Sequence, residues 1–557
     1  MLTKIPKQFY FFLAAIFILN LIQSSFTQLI FDEAYYWYYS QDMAWGYFDH
    51  PPMVALLVKI SSFFFNGELG VRFMSCVLSA INIILLWLMI DNPKKNDYIK
   101  HFFVLVFSMT LLNAYGFFTL PDTPLLFFTS CFLLTYKYFI KKPTAGLAIL
   151  LGIFMAALMY SKYHAVLVIF FVLLSNLKLT TNKYAWLAVI IALCCYAPHF
   201  YWLYENDFVS IKYHLFERPN GAYRFEKYTL GFLVNLVAIF GLTFPFIYKA
   251  LFKTKGNDLF SKALIYLTYG VLIFFFVSSF NRRVQTQWII IVCIPLVVIA
   301  FNYMLQNKQA LTWIYRLGLI NTVLILYLRM GLAHQPLLFN FHYESHGNKE
   351  WAKAIEEEVG NIPVIFENSY RNAPMYSFYT DATPTFSLNN FMYRKNQYSI
   401  DGSEEQIRGK DVAYISQYDK NPTFTYEKED GGLYKGKYIA NFQSYRKLSC
   451  IIEDTPITLN SEKSIDLKIY NPYPEAIDLN KLKFAVTYMD NYKTPVETLK
   501  MTPKPKQTTV TTLKQQDTTN FIFQLPKTKK ENIGYFRVVI SENGLLYGLN
   551  GQAIPVN

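Results

Sequence analysis

The chain has 557 residues, 53% of them hydrophobic and 18% aromatic but only 16% charged, with a formal net charge of +13. That composition excludes an ordinary soluble enzyme, and it equally excludes a chain sunk in lipid from end to end. The positive charge is split between loop lysines and dispersed lysines of the C-terminal half, without basic runs or a recognition motif, which excludes nucleic acid as a partner.

Residues 10–27 are the first apolar stretch, long enough to cross a hydrocarbon core of roughly 30 Å. The stretch lacks a convincing small-residue cleavage pattern and an acidic motif follows at once, so a retained anchor rather than a signal peptide is expected. Further spans are predicted near residues 71–91, 99–119, 121–140, 144–160, 163–178, 184–204, 229–250, 262–280, 288–306 and 311–333, about eleven helices in all. If they alternate, Lys4, Lys7, Lys94, Lys95, Lys141, Lys142, Lys178, Lys183, Lys249, Lys253 and Lys255 share one side, which the positive-inside rule makes cytoplasmic. The opposite side receives residues 28–70, Asp122, Ser161–His164, 205–228, Asn281–Val284 and everything after about residue 334. A multi-pass protein of the cell inner (plasma) membrane is expected, with its candidate site and C-terminal half extracytoplasmic.

Beyond residue 333 the hydropathy falls to ordinary soluble values. An amphipathic helix over Lys349–Glu357, then short apolar runs at Pro363–Phe366 and Val412–Ile415, predict a small α/β unit over residues 334–445. From 446 to 557 the pattern turns to alternating strands, at Ser464–Tyr470, Leu482–Tyr488, Asn520–Gln524 and Tyr535–Ile540, which predict a β-sandwich. Five of six cysteines fall in the spans, and Cys450 alone lies in the soluble half, so no disulfide within that half is expected.

The run from Phe31 to Pro52 places Asp32, Glu33 and Asp49 just past the first span. Asp32 suits a helix cap at the interface, and an ionised carboxylate there also suits a general base for a hydroxyl nucleophile; the two roles are compatible. In Asp49-His50-Pro51-Pro52 the prolines stiffen a turn, so His50 reads as structural, while Asp49 is open to orienting a sugar hydroxyl or holding a cation. Asp122 begins a span, either as its cap or as a wall of the same site. Lys162 breaks the positive-inside trend, either by snorkelling to lipid phosphates or by binding an anionic headgroup. Arg218, Arg224, Arg282 and Arg283 are further bases on the same side, solvated individually yet together suited to phosphate oxygens. Acids for a hydroxyl, bases for a phosphate and a bilayer alongside define group transfer from a lipid phosphate donor, and no nucleotide-binding fingerprint contradicts that.

Asp32-Glu-Ala-Tyr-Tyr-Trp37, Tyr47-Phe-Asp-His-Pro-Pro-Met53, Pro121-Asp-Thr-Pro-Leu-Leu-Phe127, Ser161-Lys-Tyr163 and Trp202-Leu-Tyr-Glu-Asn-Asp-Phe-Val-Ser210 resemble, in that order, bacterial GT-C glycosyltransferases of the protein O-mannosyltransferase and lipid A aminoarabinose transferase superfamily. The resemblance covers roughly residues 10–300 and stops short of the sandwich. It implies a GT-C transmembrane catalytic domain over residues 1–333, a polyprenyl-phosphate sugar donor, a lipid, glycan or protein acceptor, and inversion at the anomeric carbon. It further implies Asp32 as general base, Glu33 as its support and Lys162 on the donor phosphate; Asp49, His50, Asp122, Arg218, Arg282 and Arg283 stand beside these as candidate substrate contacts. Arg282 and Arg283 precede Gln287-Trp288, where the family often shows Asn-Trp-Pro; the proline is absent here. No cofactor is implied, and since family members differ over a divalent metal, that requirement stays open. A transporter or flippase of lipid-linked sugars is the alternative, and an idle membrane anchor displaying a binding sandwich is a third reading.

Overall fold

The computed structural model describes residues 5–218, 221–338, 341–382, 384–428, 431–453, 457–459, 464–507 and 510–557. The chain divides into two compact units, one of residues 1–211 and 223–348, the other of residues 212–222 and 349–557.

The first unit is helical. Among the described residues six helices are long and apolar enough to cross a membrane: Lys7–Phe26, Gly67–Met89, Lys183–Glu205, Leu259–Ser278, Thr286–Gln306 and Lys308–Ala333. A seventh span is formed if Glu226–Ala238 and Gly241–Lys253, bent by 96° at their junction, count as one. The bend falls at Gly241, whose φ of +54° is left-handed; a Cβ there would also stand 2.5 Å from Asn321. Asp122–Phe139 and the shorter apolar helices Ala145–Ser161 and Val166–Ser175 fill three more of the expected spans. The span expected over 99–119 is broken, running as Ile99–Ser108 and then Thr110–Ala114.

Thr286–Gln306 is the most enclosed of the long helices, with Ile289 to Ile294 all fully buried, and its near-continuous apolar sequence fits that central place. Lys7–Phe26, Lys183–Glu205 and Lys308–Ala333 bury little of their surface within the protein, leaving apolar faces for lipid. Lys183–Glu205 packs on Ala145–Ser161, Asp122–Phe139 lies between Ala145–Ser161 and Gly67–Met89, and Lys7–Phe26 packs on Gly67–Met89. Two short helices, Phe31–Gln41 and Met53–Ser62, follow the first long one and pack on each other.

The second unit contains two arrangements of strands. In the first, β1 (Val364–Glu367), β2 (Thr385–Leu388), β3 (Val412–Ser416), β4 (Phe424–Glu427) and β5 (Leu433–Ile439) form a mixed sheet of order β2-β1-β3-β5-β4. The pairs β1–β2 and β1–β3 are parallel, and the helix Asn372–Thr380 makes the crossover between β1 and β2. In the second, β6 (Ser449–Ile451), β7 (Ser464–Tyr470), β8 (Ile477–Asp478), β9 (Lys483–Met489), β10 (Pro495–Met501), β11 (Lys504–Pro505), β12 (Thr512–Leu513), β13 (Thr518–Gln524), β14 (Tyr535–Ser541) and β15 (Ile554–Pro555) form two four-stranded sheets, β10-β9-β14-β15 and β11-β13-β7-β6, and a two-stranded piece, β12-β8. Ile465, Leu467 and Ile469 of β7 share one core with Phe484, Val486 and Tyr488 of β9 and Phe536, Val538 and Ile540 of β14, the alternation that a two-layer sandwich requires.

Residues 212–222, between two helices of the first unit in sequence, belong with the strands. The Lys493 ammonium donates to the Phe216 carbonyl at 3.1 Å, and the Arg394 guanidinium lies 5.2 Å above the Tyr213 ring.

Candidate functional site

The acidic motif forms the helix Phe31–Gln41, with both acids in its first turn, where the helix dipole favours negative charge. Glu33 is fully buried and accepts from the backbone N–H of Ile30 at 3.2 Å, the reach-back of a capping glutamate. Its main partner is Arg72, 39 residues on in Gly67–Met89, which donates from Nε to Oε1 at 2.8 Å and from Nη2 to Oε2 at 2.5 Å, both side chains being 0% exposed. Glu33 also accepts from Thr119 N–H at 2.8 Å, while Arg72 donates to the carbonyls of Ser24, Thr27 and Gln28. One bidentate pair therefore ties the helix Phe31–Gln41 to the end of the first long helix, to Gly67–Met89 and to the loop before Asp122. Asp32, its neighbour, stays half-buried.

A second buried pair joins two other motifs. Lys162 donates from Nζ to both carboxylate oxygens of Asp122 at 2.8 Å, with side-chain exposures of 8% and 3%. Asp122 opens its helix, and Lys162 sits in extended backbone just after Ala145–Ser161, so two helix ends meet there. The Asp122 and Asp32 carboxylates both act electrostatically on the buried Tyr115 hydroxyl, which puts the two acids in one neighbourhood.

Asp49 is buried and accepts from the Tyr39 hydroxyl at 2.6 Å, and the Tyr39 and Tyr47 rings stack 4.1 Å apart. His50 packs edge-on to Tyr36 at 5.5 Å, and its carbonyl accepts from Tyr47 N–H, closing the turn that the prolines stiffen. His199 Nδ1 lies 2.7 Å from the Trp45 carbonyl, which can only accept; Nδ1 therefore carries the proton, and Nε2 faces the Tyr163 hydroxyl at 3.2 Å. Gly46 allows this approach, since a Cβ would stand 2.3 Å from the Trp202 ring.

Of the arginines, Arg218 lies in the second unit, half-buried, with its N–H on the Tyr213 carbonyl. Arg282 is half-buried, Arg283 and Arg224 are exposed, and none of the four joins the two buried pairs. Among the described residues no three His, Cys, Asp or Glu side chains converge as a metal-ligand set.

Two residues that sequence reasoning missed are Arg72 and Arg329. Arg329, buried in Lys308–Ala333, donates to Gln23 Oε1, Asn20 Oδ1 and Asn113 Oδ1 at 3.0–3.2 Å and stacks 4.5 Å from Phe117. The signal was present: each is an arginine inside a long apolar run, and such a residue is there for a partner or a function.

The fold and site define a polytopic helical membrane protein, similar to membrane glycosyltransferases of the GT-C type. The family model for dolichyl-phosphate-mannose-protein mannosyltransferase matches residues 49–202, the stretch that holds Asp49, Asp122, Lys162 and His199. The chain is 22% identical over 279 residues to the lipid A galacturonosyltransferase RgtD of Rhizobium johnstonii, an alignment covering 47% of this chain and 58% of that one, so this chain spans less than two thirds of that curated relative. Among solved structures, ArnT from Cupriavidus metallidurans in the apo state superposes with a TM-score of 0.57 at 12% identity, over 77% of this chain and 97% of that one. The same protein bound to undecaprenyl phosphate gives 0.54 over the same shares. At that identity the likeness is one of fold, and together with the family model it bears out the resemblance to the mannosyltransferase and lipid A transferase type.

Proposed function

We propose that this protein is an inverting glycosyltransferase that moves a sugar from a polyprenyl-phosphate donor to a hydroxyl of a lipid, glycan or protein acceptor. The observation that carries the proposal is the buried Asp122–Lys162 pair sharing a neighbourhood with the half-buried Asp32. Among the described residues two of the three ammonium donors of Lys162 go to Asp122, and the third is left for an anionic oxygen. A solved relative of the same fold holds undecaprenyl phosphate, which is consistent with such a donor.

In this reading Asp32 removes the acceptor hydroxyl proton as that oxygen attacks the anomeric carbon. The bond from that carbon to the phosphate oxygen breaks, and the polyprenyl phosphate leaves with its charge stabilised by Lys162, whose position is set before the reaction begins. Glu33 touches no substrate; through Arg72 it fixes the helix on which Asp32 rides. Asp49, held by Tyr39, orients a sugar hydroxyl, and Arg282 and Arg283 attract the anionic donor from the same unit. The site and the strand-rich half face away from the cytoplasm of an inner-membrane protein, as the loop lysines imply.

The test is release of free polyprenyl phosphate from a panel of labelled polyprenyl-phosphate sugars by purified protein and by Asp32→Asn. Release that disappears in the variant, with unchanged thermal stability, is expected; undiminished turnover by Asp32→Asn removes Asp32 as the base. One observation favours a transporter of lipid-linked sugars, namely Arg329 inside a membrane helix without a carboxylate partner among the described residues. Translocation of intact donor in vesicles without cleavage would select that reading.

A further inference from the structure

The Tyr343 ring packs against a small cluster built on Ile30, Phe117 and Phe118, and Ala114 and Leu120 pack against the same cluster. These neighbours adjoin separate parts of the candidate site. Ile30 caps the helix that carries Asp32, Ala114 precedes Tyr115, and Leu120 stands just before Pro121 and Asp122. One aromatic side chain from beyond the last membrane helix thus sits where three pieces of the site meet. No role given so far uses it.

The backbone around Tyr343 is pinned from two directions. Its N–H donates to His346 Nδ1 at 3.1 Å, and His346 Nε2 lies 2.9 Å from the Gly331 carbonyl, so Nε2 carries the proton and Nδ1 accepts. Ser345 Oγ donates to the Leu332 carbonyl at 3.2 Å. On the other side, Asn348 donates from Nδ2 to the Leu29 carbonyl at 3.0 Å and from its N–H to Gln28 Oε1 at 2.6 Å. The segment is therefore fixed both to the end of Lys308–Ala333 and to the residues leading into Phe31–Gln41.

The phenol oxygens are a different matter. Among the described residues neither the Tyr343 nor the Tyr115 hydroxyl makes a hydrogen bond, although Tyr343 is half-buried and Tyr115 only 7% exposed. Asp32 acts electrostatically on both hydroxyls, Asp122 on that of Tyr115 and Glu33 on that of Tyr343, and the Tyr343 hydroxyl also acts on Tyr115. Burial, with Glu344, Glu33 and Asp32 adding to it, pushes the Tyr343 phenol up to about 12, so it keeps its proton and remains a donor at neutral pH. A covered O–H is costly to leave without an acceptor, and a ligand can supply one. A phenol both donates and accepts, as the hydroxyls of a sugar ring do.

We propose that the Tyr115 and Tyr343 hydroxyls hydrogen-bond the ring hydroxyls of the sugar on the donor and hold it between Asp32 and the Asp122–Lys162 pair. That contact rests on the reading of Asp32 and Lys162 as the donor site and adds the groups that recognise the sugar itself.

The experiment is calorimetry on the full chain in detergent with undecaprenyl-phosphate mannose, galactose and arabinose, each against bare undecaprenyl phosphate, alongside release of undecaprenyl phosphate by the wild type. Tyr343→Phe and Tyr115→Phe keep the ring and its packing, so melting temperatures should not move. Each should weaken the best-bound sugar-bearing lipid by about fivefold or more, the loss of a hydrogen bond, and leave bare undecaprenyl phosphate within about twofold of wild type. Wild-type affinity in both variants, or equal weakening of the bare lipid, would overturn the proposal while leaving the transferase reading in place. Tyrosine-dependent binding of the sugar with no release of undecaprenyl phosphate would instead sink the transferase reading and support the contact.

Discussion

Replacing Glu33 by Gln tests whether the Arg72 pair holds the candidate base in place. Glu33 accepts four hydrogen bonds, from Arg72 Nε, Arg72 Nη2, Ile30 N–H and Thr119 N–H, in a side chain with no solvent exposure. A glutamine keeps one oxygen and turns an NH₂ group toward donors, and the Arg72 charge is left buried without its counter-ion. Breaking a buried pair from one side costs about 3–5 kcal/mol. Arg72→Met should cost a similar amount, because it strands the carboxylate and frees the carbonyls of Ser24, Thr27 and Gln28. In the double variant neither charge is stranded, so its loss should fall short of the sum of the singles by about 2 kcal/mol or more. The assay is a denaturing-detergent titration of all four proteins, with sugar transfer measured below the lowest melting temperature. Transfer by Glu33→Gln should fall while remaining measurable, as suits a positioning residue. Single variants within about 0.5 kcal/mol of wild type, combining additively, would refute the reasoning.

Lys162→Met should lower kcat/KM for the donor at least tenfold, with kcat falling as the leaving phosphate loses its counter-charge, read from initial rates; an unchanged kcat/KM would move Lys162 off the phosphate. Arg329→Met should destabilise by about 1–3 kcal/mol by leaving the amides of Asn20, Gln23 and Asn113 without their shared partner, measured by thermal unfolding in detergent. Glu542 supplies a pH dependence: burial, with Glu404 adding to it and Arg446 opposing it, pushes its carboxyl from 4.5 up to about 7. The native state therefore holds a proton that the unfolded chain releases, so stability is greatest below the ordinary carboxyl range and declines as pH rises to about 7, by roughly 3 kcal/mol at about 1.36 kcal/mol per pH unit. Glu542→Gln should flatten that part of the stability profile, followed by melting of the second unit between pH 4 and 8.

The long helices were legible because roughly 20 consecutive apolar residues leave few alternatives, and the strands because alternation survives in β7, β9 and β14. The break at Met109 was not, since no proline or glycine marks it; the end of Ile99–Ser108 is met by Asn321, which donates to the Ser108 carbonyl from a helix far along the chain. The left-handed Gly241, by contrast, was a visible signal inside the expected span 229–250. In the site, Asp32, Asp122 and Lys162 stood out by their place at span ends, yet their partners did not. Glu33 and Arg72 are 39 positions apart and Asp122 and Lys162 are 40 apart, and local periodicity carries nothing over such distances. Arg218 was grouped with the other outer bases because the loop 205–228 read as one piece, whereas residues 212–222 fold with the strands.

That excursion of residues 212–222 changes how the protein can be taken apart. The polypeptide passes between the two units three times, at 211/212, 222/223 and 348/349, rather than once as a tail after the last membrane helix. A fragment beginning at Lys349 would lack Tyr213 under Arg394 and Phe216 on Lys493, while a truncation after Asn348 would leave an orphaned strap in the membrane half. The strand-rich unit thus draws on two separate stretches of the chain, and neither shuffling of a C-terminal module nor a cut at the last helix yields it whole.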